Sequence, residues 1–124
     1  MKRARKVRYK GADLKSKAEH LVAKDLDKQG ILLKYEPRLF KFPSGGYLPD
    51  FYLPERKAWI EVKAYIFPTS LTEEESRKLY YLCKKVGIVY LALPYHGFKG
   101  KVGYYPIEVV GTTICWEDPP RNVI

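Results

Sequence analysis

Residues 47–64 read YLPDFYLPERKAWIEVKA. Two carboxylates, Asp50 and Glu61, sit inside otherwise apolar and aromatic runs, and Lys63 follows Glu61 by two positions. The pattern predicts strands over 47–53 and 58–64, joined by the loop Pro54-Glu55-Arg56-Lys57. In the simplest hairpin register Leu53 faces Ala58, and Asp50 then faces Glu61 directly. Alternation places Asp50, Trp59, Glu61 and Lys63 on one face, and Phe51, Leu53, Ile60, Val62 and Ala64 on the other. The second face is a clean core face. Directly opposed side chains hold their Cβ atoms roughly 4.5–5.5 Å apart, where like charges destabilise a sheet. A divalent cation between the two acids removes that conflict, and hard ions such as Mg²⁺ take oxygen ligands. The plainer alternative is a solvated hairpin face carrying ordinary surface ion pairs. Bulky Trp59 and Tyr52 on the charged face argue that it is covered.

Outward from this stretch, Asp13 to Gln29 predicts a first helix, with Leu14, Ala18, Leu21, Val22 and Leu26 at helical spacing and Gly30 as its stop. Asp25 falls inside that apolar stripe, against the pattern. Glu19 lies at the edge of the stripe, placed to look across at whatever the helix packs on. Residues 31–36 are strand-like, and Pro43-Ser44-Gly45-Gly46 marks a turn. A second helix spans 72–86, with Thr72 and Glu75 as a capping box, acids in its first turn and Lys84 and Lys85 in its last. The apolar run 88–93 predicts a central strand, and further strands follow at 105–110 and 112–116. The expected class is α/β (α+β), with a central mixed β-sheet flanked by helices. Residues 1–124 form a single domain, of which 1–11 are a basic flexible arm.

Lys and Arg total 23 against 14 Asp and Glu, a net charge of +9, which points to a polyanionic partner, nucleic acid first. The 46% hydrophobic fraction suffices for a core. Cys83 and Cys115 are expected as small buried hydrophobes, and no CxxC or His/Cys cluster suggests zinc. No apolar run approaches a membrane span and no secretory signal opens the chain, so a cytoplasmic setting is expected. Lys2, Arg3, Arg5, Lys6 and Arg8 of the arm, Lys15 and Lys17, and the loop lysines Lys99 and Lys101 are candidate DNA phosphate contacts. Solvated charge is the competing reading for each. Nothing reads as a base-reading element, so recognition by DNA shape is expected. His20 is expected to be exposed, and His96 to be a plain loop residue.

PDF at 49–51 followed by EVK at 61–63, across a hairpin, resembles the PD-(D/E)XK nuclease superfamily. That family also carries an acid on the preceding helix, where Glu19 stands in SKAEHLVAKDL. Within the superfamily the chain is most similar to bacteriophage resolvases of the endonuclease I type, through KDLDKQG, KYEP, LPDF and IEVK. No shared motif follows the second helix. The resemblance implies a restriction-endonuclease-like core and a metal-dependent DNA endonuclease acting on branched DNA such as Holliday junctions. It implies catalytic Glu19, Asp50, Glu61 and Lys63, with Mg²⁺ (or Mn²⁺) held by Asp50, Glu61, the Val62 backbone carbonyl and Glu19. It also implies a homodimer, with no membrane and no small-molecule cofactor. Transposon-end, mismatch-nicking or general duplex cleavage on the same fold, and a non-catalytic DNA-binding module, are the alternatives.

Overall fold

The computed structural model of the protein describes residues 7–9, 12–14, 16–64 and 71–124. The Phe51–Leu53 strand (β6) pairs antiparallel with Ala58–Val62 (β7), with Phe51 opposite Ile60, Tyr52 opposite Trp59 and Leu53 opposite Ala58. This is the register expected from the sequence. Around the pair grows a six-stranded mixed sheet, which also contains Lys34–Tyr35 (β3), Ile88–Leu93 (β8), Gly103–Val110 (β9) and Thr113–Trp116 (β10). Its order is β10-β9-β8-β7-β6-β3. β8 runs parallel to β7 through the crossover that contains the second helix and lies inside the sheet, as its apolar run predicts.

Two helices cover opposite faces. Lys17–Lys28 (α1) packs Val22, Ala23 and Leu26 on Phe51, Leu53 and Ile60. Glu73–Val86 (α2) packs Leu79, Leu82 and Cys83 on Trp59, Val89 and Leu91. The Thr72 capping box forms in full. Glu73–Arg77 and Glu74–Lys78 pair one turn apart on the outer face of α2. No helix of the described residues is long and apolar enough to cross a membrane.

Several boundaries differ from the sequence expectation. α1 starts at Lys17 behind an N-cap at Ser16, not at residue 13. Leu14, read as part of the helical stripe, lies instead in the Ala12–Leu14 strand (β2) and is fully buried. β2 pairs with Val7–Tyr9 (β1), so these residues of the expected flexible arm have a partner strand. Tyr47 does not extend β6. It lies in Gly45–Tyr47 (β5), which pairs with Phe40–Phe42 (β4) as a separate ribbon. The ribbon's aromatic rings pack beside α2, with Phe42 stacked on Tyr81 and Phe40 edge-on to Trp59. Cys83 is buried, which pushes its thiol up to about 11, but Cys115 is exposed, because it occupies an outward position on edge strand β10. Both are free thiols.

Asp25 no longer breaks the pattern of α1. Its Oδ2 accepts from the buried Tyr104 hydroxyl at 2.7 Å and from the Gln29 side-chain amide at 2.9 Å. Gln29 Oε1 in turn accepts the Ile124 N–H at 3.0 Å. The acid thus ties α1, β9 and the C-terminal residues together. A buried hydroxyl needs such an acceptor.

Candidate active site

Asp50 closes the last position before β6. Its backbone carbonyl accepts the Glu36 N–H at 2.8 Å, and its Oδ2 accepts the Val62 N–H at 2.7 Å across the hairpin. Those two bonds hold it at the carboxyl end of β7, beside Glu61. It is only 8% exposed. Burial first, then the charge and hydrogen bond of Glu61, raise its carboxyl well above the ordinary range. The Val62 N–H and a hydrogen bond with Glu19 act the other way and do not overcome them.

Glu19 arrives from the other face of the sheet. Ser16 Oγ accepts the Glu19 N–H at 3.2 Å, which fixes the first turn of α1 and directs this buried glutamate at Asp50. The structure therefore brings Glu19, Asp50 and Glu61 together, two acids from the hairpin and one from the helix. α1 itself packs on the Phe51 face, so the Trp59 and Glu61 face is covered by α2 and the β4–β5 ribbon instead.

Tyr47 completes the group and was not singled out from the sequence, where a tyrosine in a strand run reads as a pleat residue. Burial, then Glu61 and Asp50, push its hydroxyl well above the ordinary value. The hydroxyl is buried against these acids and completes no hydrogen bond of ordinary geometry. Orphaned buried hydroxyls are uncommon in folded proteins.

Lys63 is held through both its backbone and its side chain. Its N–H donates to the Ala92 carbonyl at 3.0 Å, prolonging the β7–β8 pairing. Its ammonium is paired with the Glu75 carboxylate in the first turn of α2. Glu75 is itself fixed: Oε1 accepts the Thr72 N–H at 3.0 Å, and its N–H donates to Thr72 Oγ1 at 3.1 Å. Glu75, expected only as a cap, is thus also the lysine's anchor. Val62, whose carbonyl the resemblance implies as a metal ligand, donates its N–H to Asp50.

Among the described residues no three His, Cys, Asp or Glu side chains stand as a ready cage for a metal ion. Hydrogen bonds join Asp50 to Glu61 and to Glu19. Their chemistry nonetheless fits a hard divalent ion: oxygen donors, an Asp50 carboxyl whose charge is opposed by burial and by Glu61, and an unsatisfied hydroxyl beside them.

Of the expected phosphate contacts, Lys2, Arg3, Arg5, Lys6 and Lys15 lie outside the described residues, as does the side chain of Arg8. Lys17 is exposed two positions before Glu19. Lys99 and Lys101 are exposed in the loop between β8 and β9. That loop leaves the carboxyl end of β8, the end of the sheet at which Glu61 and Lys63 lie. Lys101 shares a cleft of about 390 Å³ with Lys24 and Lys28. His20 is half-buried in α1 rather than exposed, since α1 turns that flank inward. His96 contacts the Tyr105 hydroxyl at 3.4 Å.

No protein-family model matches the chain, and no curated protein matches it.

Proposed function

We propose that the protein is a metal-dependent DNA endonuclease of the PD-(D/E)XK type that hydrolyses phosphodiester bonds in branched DNA. The observation that carries the reading is the buried Asp50 beside half-buried Glu61, joined by buried Glu19, at the carboxyl end of β7. A fold gains nothing from a buried acid set against two others unless something positive joins them. The order of helix, hairpin and crossover around a mixed sheet is the one that the resemblance implies.

Asp50, Glu61, the Val62 carbonyl and Glu19 would hold Mg²⁺ or Mn²⁺. The ion supplies Lewis-acid activation of water and neutralises charge on the scissile phosphate. The Val62 N–H keeps the Asp50 carboxylate aimed whether or not the ion is present. Tyr47, with its hydroxyl toward Glu61, would orient that acid or a water beside it. Lys63 would stabilise the negative charge that builds on the phosphate in the transition state. Glu75 limits the wandering of this four-carbon side chain. Lys17, Lys99 and Lys101, together with the N-terminal cations, would position the DNA backbone. Paired symmetric cuts at a junction call for a homodimer, and a cytoplasmic setting suits such a substrate.

The test uses synthetic four-way junctions and matched linear duplex, each with Mg²⁺ or EDTA. Metal-dependent cleavage of the junction well above that of the duplex is expected. Equal cutting of both removes the preference for branched DNA. No cutting of any DNA removes the nuclease reading and leaves a DNA-binding module.

Glu75→Gln gives a finer check. The amide oxygen still accepts the Thr72 N–H, so the cap survives, and loss of a half-exposed ion pair costs under about 1 kcal/mol. Single-turnover cleavage should fall about tenfold, because Lys63 loses its anchor. An unchanged rate in this variant, with an unchanged melting temperature, removes the positioning role.

A further inference from the structure

The face of the sheet that carries the acids continues, two residues along each strand, to Tyr52 and Trp59. These rings lie directly opposite each other, 4.6 Å between centroids. Lys34 is the next residue across, opposite Tyr52 on β3. Together with Pro37, Arg38, Lys57 and Val86 they line a groove of about 430 Å³. Three features mark it as a built surface. Its three cations are exposed, and among the described residues none of them is in an ion pair. The Arg38 guanidinium lies 4.4 Å above the Phe40 ring, which holds it in place without neutralising it. Tyr52 is half-buried, so part of its ring faces the groove, while Trp59 lies beneath it with only 7% exposure.

Cations around an aromatic floor suit a polyanion that also carries flat rings. The volume is within the range of small-ligand sites, about 300–1,000 Å³, and holds a nucleotide but not a duplex. Two residues of strand correspond to about 6.5–7 Å, so the groove begins roughly one extended nucleotide step from the acids.

Resting on the nuclease reading, we propose that this groove binds an unpaired nucleotide of the DNA strand adjacent to the scissile phosphate. Lys34, Arg38 and Lys57 take its phosphates, and its base or sugar lies against Tyr52. Where strands exchange in branched DNA the stack is interrupted, so a nucleotide there unpairs at less cost than one inside a blunt duplex. The groove thus provides a physical basis for preferring branched substrates without a base-reading element.

The experiment reads binding without chemistry. In a Trp116→Phe background Trp59 is the only tryptophan, and its fluorescence is followed in EDTA as an oligothymidylate of eight nucleotides is added. The expected result is saturable quenching by the oligothymidylate and little change with blunt duplex. Lys34→Glu with Lys57→Glu, both at exposed positions, should weaken oligothymidylate binding about tenfold or more at 50 mM salt. The salt slope should fall by about 0.7 for each phosphate that the double variant no longer neutralises. Tyr52→Ala should abolish the quenching while the charge-reversed pair is still folded by its melting curve. The proposal is overturned by an unresponsive Trp59, by equal quenching with duplex, or by unchanged affinity in the double variant. Failure of the nuclease reading looks different: no DNA is cut with Mg²⁺, whatever Trp59 reports in EDTA.

Discussion

Asp50→Asn should reduce metal-dependent cleavage by about 10³-fold or more, and should leave the metal-free protein as stable as the wild type or more so. The activity loss follows from removing one charge of the acid pair that would hold the ion. The stability result follows from the site's electrostatics. The asparagine oxygen can still accept the Val62 N–H, which Asp50 takes at 2.7 Å. What disappears is a buried charge opposed to Glu61, a gain on the order of 1 kcal/mol. The pH dependence has a definite sign. Burial and Glu61 raise the folded Asp50 value above its ordinary 3.8. The stability linked to its proton is therefore complete below the ordinary value and is lost as pH rises through the folded value. Metal-free wild type should fall behind Asp50→Asn as pH climbs from about 4 upward. Mg²⁺ at a hundredfold excess over its Kd should then raise wild type by about 2–3 kcal/mol and leave the variant unmoved. Thermal melts across pH, with and without Mg²⁺, make the measurement. A loss of several kcal/mol in metal-free Asp50→Asn would mean that Asp50 serves the fold and not a cation.

Asp25→Ala should be among the costliest single changes outside the aliphatic core, at about 2–3 kcal/mol. It leaves the Tyr104 hydroxyl without its acceptor inside a fully buried residue and frees Gln29 from its place under the C-terminal backbone. For a chain of this size the loss corresponds to a fall in Tm of about 10 °C. Tyr104→Phe on its own should cost less, about 1 kcal/mol, since it removes the donor instead of stranding it. The double variant should fall short of the sum of the singles. Strict additivity in that cycle would show that the two groups do not act as a pair. Cleavage by Asp25→Ala at a temperature where it remains folded should match wild type, because its partners serve the fold and not the acids.

The two acids differ in how far the sequence announces their roles. Asp50 stands in a hairpin whose alternation and loop length determine the register locally, so its opposition to Glu61 follows from residues 50–61 alone. The same holds for α2, where the capping box, charge gradient and apolar stripe all act within a few residues of one another. The buried, parallel character of β8 follows from its unbroken apolar run. Even the true start of α1 was written locally, as Ser16-x-x-Glu19. The helical phase of Leu14 hid that signal by extending the stripe backward into what is β2.

Asp25 looked like an error in a helical stripe because its explanation lies 79 residues away, at Tyr104. Glu19 had the right position on its helix, but only the packing of α1 against the Phe51 face brings that first turn to Asp50. Lys63 meets Glu75 because the crossover returns α2 to the end of β7, and no spacing rule links the two. Tyr47 joins the acids because its ribbon leaves the main sheet, a choice made by aromatic packing on Trp59 and Tyr81. Periodicity, caps and turn chemistry are energies of neighbours along the chain, so α2, β8 and the hairpin register that opposes the acids are legible from the residues alone. The partners of those acids, the anchor of the lysine and the cationic aromatic groove are set by which distant surfaces bury each other.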